Sequence, residues 1–262
     1  MLKITFLTLF PEAFESFLTN SIIKRAISKE VVEFKVINIR DFTLDKHHRV
    51  DDRPVGGGAG LIMKMQPVVD SLRFASSSKS KKILLSPHGQ TFTQEKAKEL
   101  SKEEDIVLIC GHYEGIDSRI DNYIDEKISL GDFILTGGEL ASQVIADSIT
   151  RLLDGAITSE STEEESFNDG LLEYPQYTFP YDYEGDKIPD ILFSGNHEAI
   201  NKWRKKKSLE LTKVHRPDLF EKYPFSKQDL KLLEELKTNE TPKWEKEALE
   251  KGQKFIKNKK EK

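Results

Sequence analysis

Cysteine is nearly absent from this 262-residue chain: Cys110 is the single one. An intramolecular disulfide is therefore impossible, and so is a cysteine-based zinc cluster. That scarcity fits a reducing compartment, and a cytoplasmic protein is expected. No apolar run approaches the roughly 20 residues that a membrane-spanning helix needs. Met1 leads directly into Leu-Lys-Ile-Thr-Phe-Leu, which reads as a short strand and not as a signal peptide. Neither GxGxxG nor GxxxxGK[ST] occurs, so a dinucleotide or triphosphate gripped in the usual way is excluded. No internal repeat is visible.

What is present is a core-forming, highly charged composition: 37% apolar and 32% charged residues, with 40 Lys/Arg against 45 Asp/Glu. The length allows one large domain or two ordinary ones. The charge is unevenly spread. Residues 196–262 hold 19 Lys/Arg against 12 Asp/Glu, whereas residues 1–195 hold 21 against 33. A basic C-terminal part on an acidic body points to a polyanion contact confined to one region. The last dozen residues mix Lys with Gln, Asn and Glu, without aromatic spacing. They read as a polar, solvated tail.

The first half alternates strand and helix signals. Strands are expected at Lys3–Leu9, Val31–Ile39, Lys82–Leu85 and Asp105–Cys110, the last two short and apolar, as strands buried on both faces are. Helices are expected at Pro11–Lys29, Pro67–Ala75, Gln94–Ser101 and Glu139–Leu153. This alternation predicts an α/β domain with a largely parallel sheet. Between Asp154 and Asp190 stand 11 acidic residues and one basic residue, with Pro and Gly punctuation. The expected organisation is a domain over 1–157, a linker over 158–190 and a small all-helical domain over 191–262, with helices at His197–Leu211 and Ser226–Leu236.

Three glycine-containing loops follow strand candidates: Leu85-Ser86-Pro87-His88-Gly89, Cys110 to Asp117, and Ser129 to Glu139. In open α/β sheets, ligands bind beyond the carboxyl ends of the strands. Taken singly, each loop is an ordinary turn; three in one domain favour a ligand cradle. A fourth loop runs from Arg49 through Arg53 to Gly56-Gly57-Gly58 and Gly60. It is a surface loop or a basic loop able to follow a nucleic-acid backbone.

The strings PVGGGAGL (54–61), LSPHGQ (85–90), CGHYEGIDSR (110–119), SLGDFILTGGELA (129–141), SFNDGLLEYPQYT (166–178) and SGNHEAINKWR (194–204) resemble the bacterial tRNA (guanine-N1)-methyltransferase family. The resemblance covers residues 1 to about 236, in order. It implies a SPOUT fold, an α/β domain whose cofactor site is a trefoil knot. It also implies a homodimer with each active site at the subunit interface, S-adenosyl-L-methionine as methyl donor, and guanosine 37 of tRNA as substrate. The cofactor residues it implies are Leu85, Ser86 and Pro87 in the first loop and Gly111, Tyr113 and Glu114 in the second. In the third they are Ser129, Leu130, Gly131, Asp132, Phe133, Ile134, Leu135, Gly137 and Gly138. The carboxylates Glu114 and Asp132 suit a ligand bearing a sulfonium and an ammonium. The resemblance also implies a place for Mg²⁺, for which no convincing ligand cluster stands out.

Guanine N1 carries a proton near neutral pH and is no nucleophile until that proton leaves, so the chemistry needs a base. Charge then builds on O6, where a fixed Arg donor stabilises it, and the target base has to leave its stack. By the resemblance the Arg is Arg151 and the base is the residue before Ser166-Phe167. That residue is Glu165, where the family has Asp; Asp169 is the rival. Asp154 stands where the family has Pro, and Phe179 replaces the Arg of a Tyr-Thr-Arg-Pro string. For tRNA the resemblance and the charge pattern mark Arg49, Arg53, Gly57 and Gly58, together with Trp203, Arg204, Lys205 and Lys206. An aromatic with cations on one helix suits stacking plus phosphate contact; it equally suits a buried Trp beneath a basic face. Two rival functions remain: a SPOUT methyltransferase acting on another RNA base, and a non-catalytic RNA-binding protein that has lost its base.

Overall fold

The computed structural model describes residues 1–157, 166–238 and 241–260. The chain divides into two compact units, Met1–Thr162 and Glu163–Lys262.

In the first unit the strands are β1 (Leu2–Thr8), β2 (Val32–Asn38), the two-residue β3 (Asp51–Asp52) and β4 (Ile62–Met63), β5 (Lys81–Thr91), β6 (Asp105–Cys110) and β7 (Glu126–Ser129). Five of them form one sheet in the order β2-β1-β6-β5-β7, with every pairing parallel. β3 and β4 pair antiparallel on their own. All six residues of β6 are buried, as expected of a central parallel strand covered on both faces. Its one charge, Asp105, is hydrogen-bonded by Ser80 and lies 3.7 Å from Lys3 Nζ.

The sheet is covered by α1 (Glu15–Thr19), α2 (Ser21–Ser28), α3 (Met65–Ala75), α4 (Gln94–Leu100) and α5 (Glu139–Thr150). Alternation along β1 sends Ile4 and Phe6 into one apolar cluster, shared with Ile145 and Ile149 of α5. Leu7 goes into the other, shared with Val68 and Leu72 of α3. The expected single helix over Pro11–Lys29 is broken. A 3-10 turn, Pro11–Phe14, precedes α1, and α1 ends at Asn20, which is extended, before Ser21 with φ of 42°. The break lets Phe14 and Ile23 both reach the core. β5 runs well past the expected Leu85, to Thr91. Both Leu85 and, after an excursion, Gln90 pair with Ile128 of β7.

The second unit contains a two-residue hairpin, β8 (Asp182–Tyr183) with β9 (Asp186–Lys187), a 3-10 turn at Asp190–Phe193, and four helices. These are α6 (His197–His215), α7 (Pro217–Lys222), α8 (Lys227–Lys237) and α9 (Lys243–Lys260). α8 opens with a capping box between Ser226 and Asp229. Part of the segment read as a linker packs within this unit. Leu171 is buried with Leu209 and Leu232, and Leu172 N donates to Thr212 Oγ1 at 2.8 Å. The expected polar tail continues α9, and its described side chains are mostly exposed apart from the buried Gly252; ahead of it, α9 buries Ala248 beside Ile191, Ala199 and Trp203.

Candidate active site

Three strands of the first unit are in register at one level of the sheet. Leu85 of β5 stands opposite both Cys110 of β6 and Ile128 of β7. The loops leaving these positions are therefore neighbours at the carboxyl edge of the sheet. The first, residues 86–89, swings out and returns with Gly89 so close to the backbone of Lys127 and Ile128 that no Cβ fits. Ser86 and Pro87 lie on this excursion, where Ser86 Oγ accepts a hydrogen bond from His88 N at 3.3 Å.

The second loop is stitched on both sides. Glu114 N donates to Leu61 O at 3.0 Å and Met63 N to Gly115 O at 2.9 Å, which ties it to the end of the 49–60 loop. Gly138 N donates to Gly111 O at 2.8 Å, which ties it to the third loop. Tyr113 adopts φ of 58° to make the turn. The third loop begins with Ser129 Oγ accepting from Gly131 N at 3.2 Å. It then presents Phe133, Ile134 and Leu135 to solvent, with Ile134 81% exposed. Three consecutive apolar side chains left outside the core are surface available to a ligand or a partner. Leu130 packs partly on the core. Asp132 is exposed, and Glu114, also exposed, lies against Gly60.

The glycines at the centre differ in purpose. A Cβ on Gly138 would stand 2.7 Å from Cys110 Cα, and one on Gly137 would strike the His112 ring and the Glu139 carboxylate. Both are glycine because the chain passes too close for a side chain. Gly111 is different. A Cβ there would have nothing nearer than 3.8 Å, with Leu85 O among its neighbours. The space beside Gly111 is a cradle that a side chain would fill, and it suits a ligand lying between the first two loops. The structure thus brings together Leu85, Gly111, Gly137 and Gly138.

Sequence reasoning missed Glu139, whose carboxylate stands against Gly137. Its carboxylate is buried, and Thr8 donates to its Oε1 at 2.7 Å. The available signal was a carboxylate opening a helix directly after a glycine pair, where the helix dipole favours it. Burial pushes the Cys110 thiol well above the usual range, and the charge of Glu139 adds to the effect. The thiol, 3.4 Å from Ser142 Oγ, is a core group and not a nucleophile.

Other expected site residues lie elsewhere. Arg49 is hydrogen-bonded to Asp45 at 2.9 Å and holds that carboxyl far below its ordinary range. Arg53 is exposed, and a Cβ on Gly57 would meet nothing within 4 Å, whereas Gly58 lies against Pro54. Arg151 caps α5, its N donating to Asp147 O at 3.0 Å. Glu165 lies outside the described residues. In the second unit Asp169 accepts from Leu171 N at 3.1 Å and pairs with Lys205 Nζ at 3.0 Å. Trp203 is 5% exposed and sits in the core, so its ring offers no open face for stacking. Lys206 is buried against Glu245 at 2.8 Å. Arg204 lies over the Tyr174 ring at 4.7 Å.

A family model described as tRNA (Guanine-1)-methyltransferase TrmD matches residues 2–222. The chain belongs to this family. It is 56% identical over 236 residues to a tRNA (guanine-N(1)-)-methyltransferase of Clostridium botulinum, a match covering 89% of this chain and 98% of the relative. Proteins of the same description from Clostridium perfringens and Clostridium beijerinckii are each 56% identical over 234 residues. That is 88% of this chain, and 99% and 98% of the relatives. A member of a methyltransferase family has to hold a methyl donor. Among the described residues no group of three or more His, Cys, Asp or Glu is placed to hold a metal ion, and no helix is long and apolar enough to cross a membrane.

Proposed function

We propose that this chain methylates N1 of guanosine 37 in tRNA, next to the anticodon, using S-adenosyl-L-methionine, and that it works in the cytoplasm as a homodimer. The observation that carries the reading is the cradle beside Gly111, framed by Leu85 and by the Gly137-Gly138 pair at the carboxyl edge of a parallel sheet. Its position agrees with the general placement of ligands in such sheets. The return of residues 89–91 alongside Ile128 and Ser129 fits a knotted cofactor site. The exposed Phe133, Ile134 and Leu135 fit an adenine slot and a subunit contact.

Bound there, S-adenosyl-L-methionine supplies an electrophilic methyl on a sulfonium. The chain's residues do the rest. Glu165 accepts the N1 proton as the methyl arrives. Arg151 donates to O6 as charge builds there. Asp169 is already engaged by Lys205 and the Leu171 amide, which favours Glu165 as the base. Arg53, with the open backbone at Gly57 and the neighbouring Gly58, and Arg204 with Lys205, contact tRNA.

The test is methyl transfer from labelled cofactor to tRNA transcripts with guanosine or adenosine at position 37. Incorporation only into the guanosine transcript is expected. Equal incorporation into both would mean another target base, and none into either would mean a binding protein.

A further inference from the structure

Glu139 is a buried carboxylate without a counter-ion. The residue is 8% exposed. Thr8 donates to one of its oxygens, and the other stands against Gly137. His112 shares that corner, yet no ion pair joins the two. Among the described residues no other cation pairs with Glu139 either. Buried Glu side chains are almost always paired, because taking a charge out of water is costly. The first turn of α5 and the Thr8 hydroxyl offset part of that cost, but neither carries a full positive charge. The acidic side chains of the loops are placed differently. Glu114 and Asp132 are exposed, so water and salt screen them.

The charge of Glu139 is felt where the cradle begins. Gly138, its neighbour in sequence, donates from N to Gly111 O at 2.8 Å, and Gly137 bridges to His112. The Cys110 thiol, one residue before Gly111, is pushed above its ordinary range by burial first and by the Glu139 charge second. The field that opposes a new negative charge at Cys110 favours a positive one in the space beside Gly111. A neutral ligand gains nothing from it.

The methyl donor and its product differ in a way that such a field reads. S-adenosyl-L-methionine carries a positive sulfonium. Methyl transfer breaks the S–CH₃ bond with its electron pair left on sulfur, the N1 lone pair forms the new bond, and the N1 proton goes to the base. The sulfur of S-adenosylhomocysteine is therefore neutral.

We infer that Glu139 gives this site its preference for a positively charged sulfur, so that the methyl donor is held and the spent product released. Contact with the ligand is not required, since charges act at a distance where water does not screen them. Glu139 is a specificity residue in this role. The inference rests on the reading of the Gly111 cradle as the methyl-donor site.

The experiment is calorimetry on the full chain with S-adenosyl-L-methionine and with S-adenosylhomocysteine, and the quantity compared is the ratio of the two affinities. Glu139→Gln keeps the volume and an acceptor for Thr8 but removes the charge. It is expected to lower the preference for the sulfonium ligand roughly tenfold, the factor that Coulomb's law gives two unit charges about 10 Å apart at an effective dielectric constant of about 20. Glu139→Asp keeps the charge and should keep the preference. Thr8→Val removes a neutral donor and should weaken both ligands alike. An unchanged ratio in Glu139→Gln overturns the inference, whether or not both ligands weaken, and so does an equal loss of preference in Glu139→Asp. The wild-type chain tests the same claim if Glu139→Gln does not fold: tighter binding of the neutral thioether than of the sulfonium overturns it. Failure of the wild-type chain to bind either ligand overturns the methyl-donor reading of the cradle instead.

Discussion

Thr8 donates its hydroxyl to Glu139 Oε1 at 2.7 Å and with the same oxygen accepts from Phe10 N at 2.9 Å. The end of β1 is thereby tied to the first residue of α5, directly behind Gly137 and Gly138. Thr8→Val keeps the shape but leaves a buried carboxylate without its donor, at a cost of about 1–3 kcal/mol. Denaturant unfolding should show that loss. Cofactor affinity should fall with it, because the glycine pair is held by the same contact.

Gly111 and Gly138 are joined by a hydrogen bond of 2.8 Å but should respond differently. A Cβ on Gly111 would meet Ile116 and Leu85 O only at ordinary contact distance, 3.8 Å, so the fold should survive Gly111→Val while binding of S-adenosylhomocysteine disappears. Gly138→Ala meets the Cys110 backbone at 2.7 Å, and strain of this kind typically costs about 1–3 kcal/mol. Melting temperature and calorimetric affinity together separate the two. Normal affinity in Gly111→Val would remove that space from the site. Gly137→Val, an attractive substitution on sequence grounds, is a poor probe because the His112 ring stands in the way.

Glu165→Gln should slow single-turnover methyl transfer by roughly 10²- to 10⁴-fold with near-normal tRNA and cofactor affinity, as loss of a general base does. Asp169→Asn should cost much less in rate. Its measurable effect should be on the stability of the second unit, through the Lys205 contact. A dead Asp169→Asn beside a fully active Glu165→Gln would reverse the assignment.

Cys110 gives a pH prediction. Its native thiol titrates above the ordinary range, about 8.5, because of burial first and Glu139 second. Above that pH the unfolded chain has released a proton that the native chain retains. Its contribution is therefore intact below about pH 8.5 and is lost as pH rises. Wild-type stability should fall more steeply between pH 8.5 and 10 than that of Cys110→Ala. Iodoacetamide at pH 8 should leave the native protein unlabelled and label it on denaturation.

The parts of the fold that were legible are those decided locally. β6 was read at its true ends, Asp105–Cys110, because a strand buried on both faces is an uninterrupted apolar run. α8, expected over Ser226–Leu236, runs Lys227–Lys237. The Asn20–Ser21 break was not legible, since Phe14, Phe17 and Ile23 keep a helical spacing across it. Nor was the docking of α9. Ala248 and Gly252 are small, and their burial depends on Asp190 and Trp203, distant in sequence. At the site, the glycine loops stood out by composition. What each glycine is for did not, because close approach at Gly138 and room for a Cβ at Gly111 are facts about other strands. Trp203 and the cations after it had two readings open. The structure buries the ring and pairs Lys205 and Lys206 with carboxylates.

Synthesis order bears on how this sheet comes into being. A ribosome releases β1 and β2 early, and they can pair at once. The other edge of β1 has to wait for β6, which begins at Asp105. β5 and β7 then flank β6, and residues 130–138, which close the cradle, emerge after every strand that supports them. A nascent chain therefore spends much of its translation with an open apolar edge, the state in which strands are most prone to pair wrongly. A methyl donor held in the proposed cradle cannot assist at that stage, because the loops that form the cradle do not yet exist.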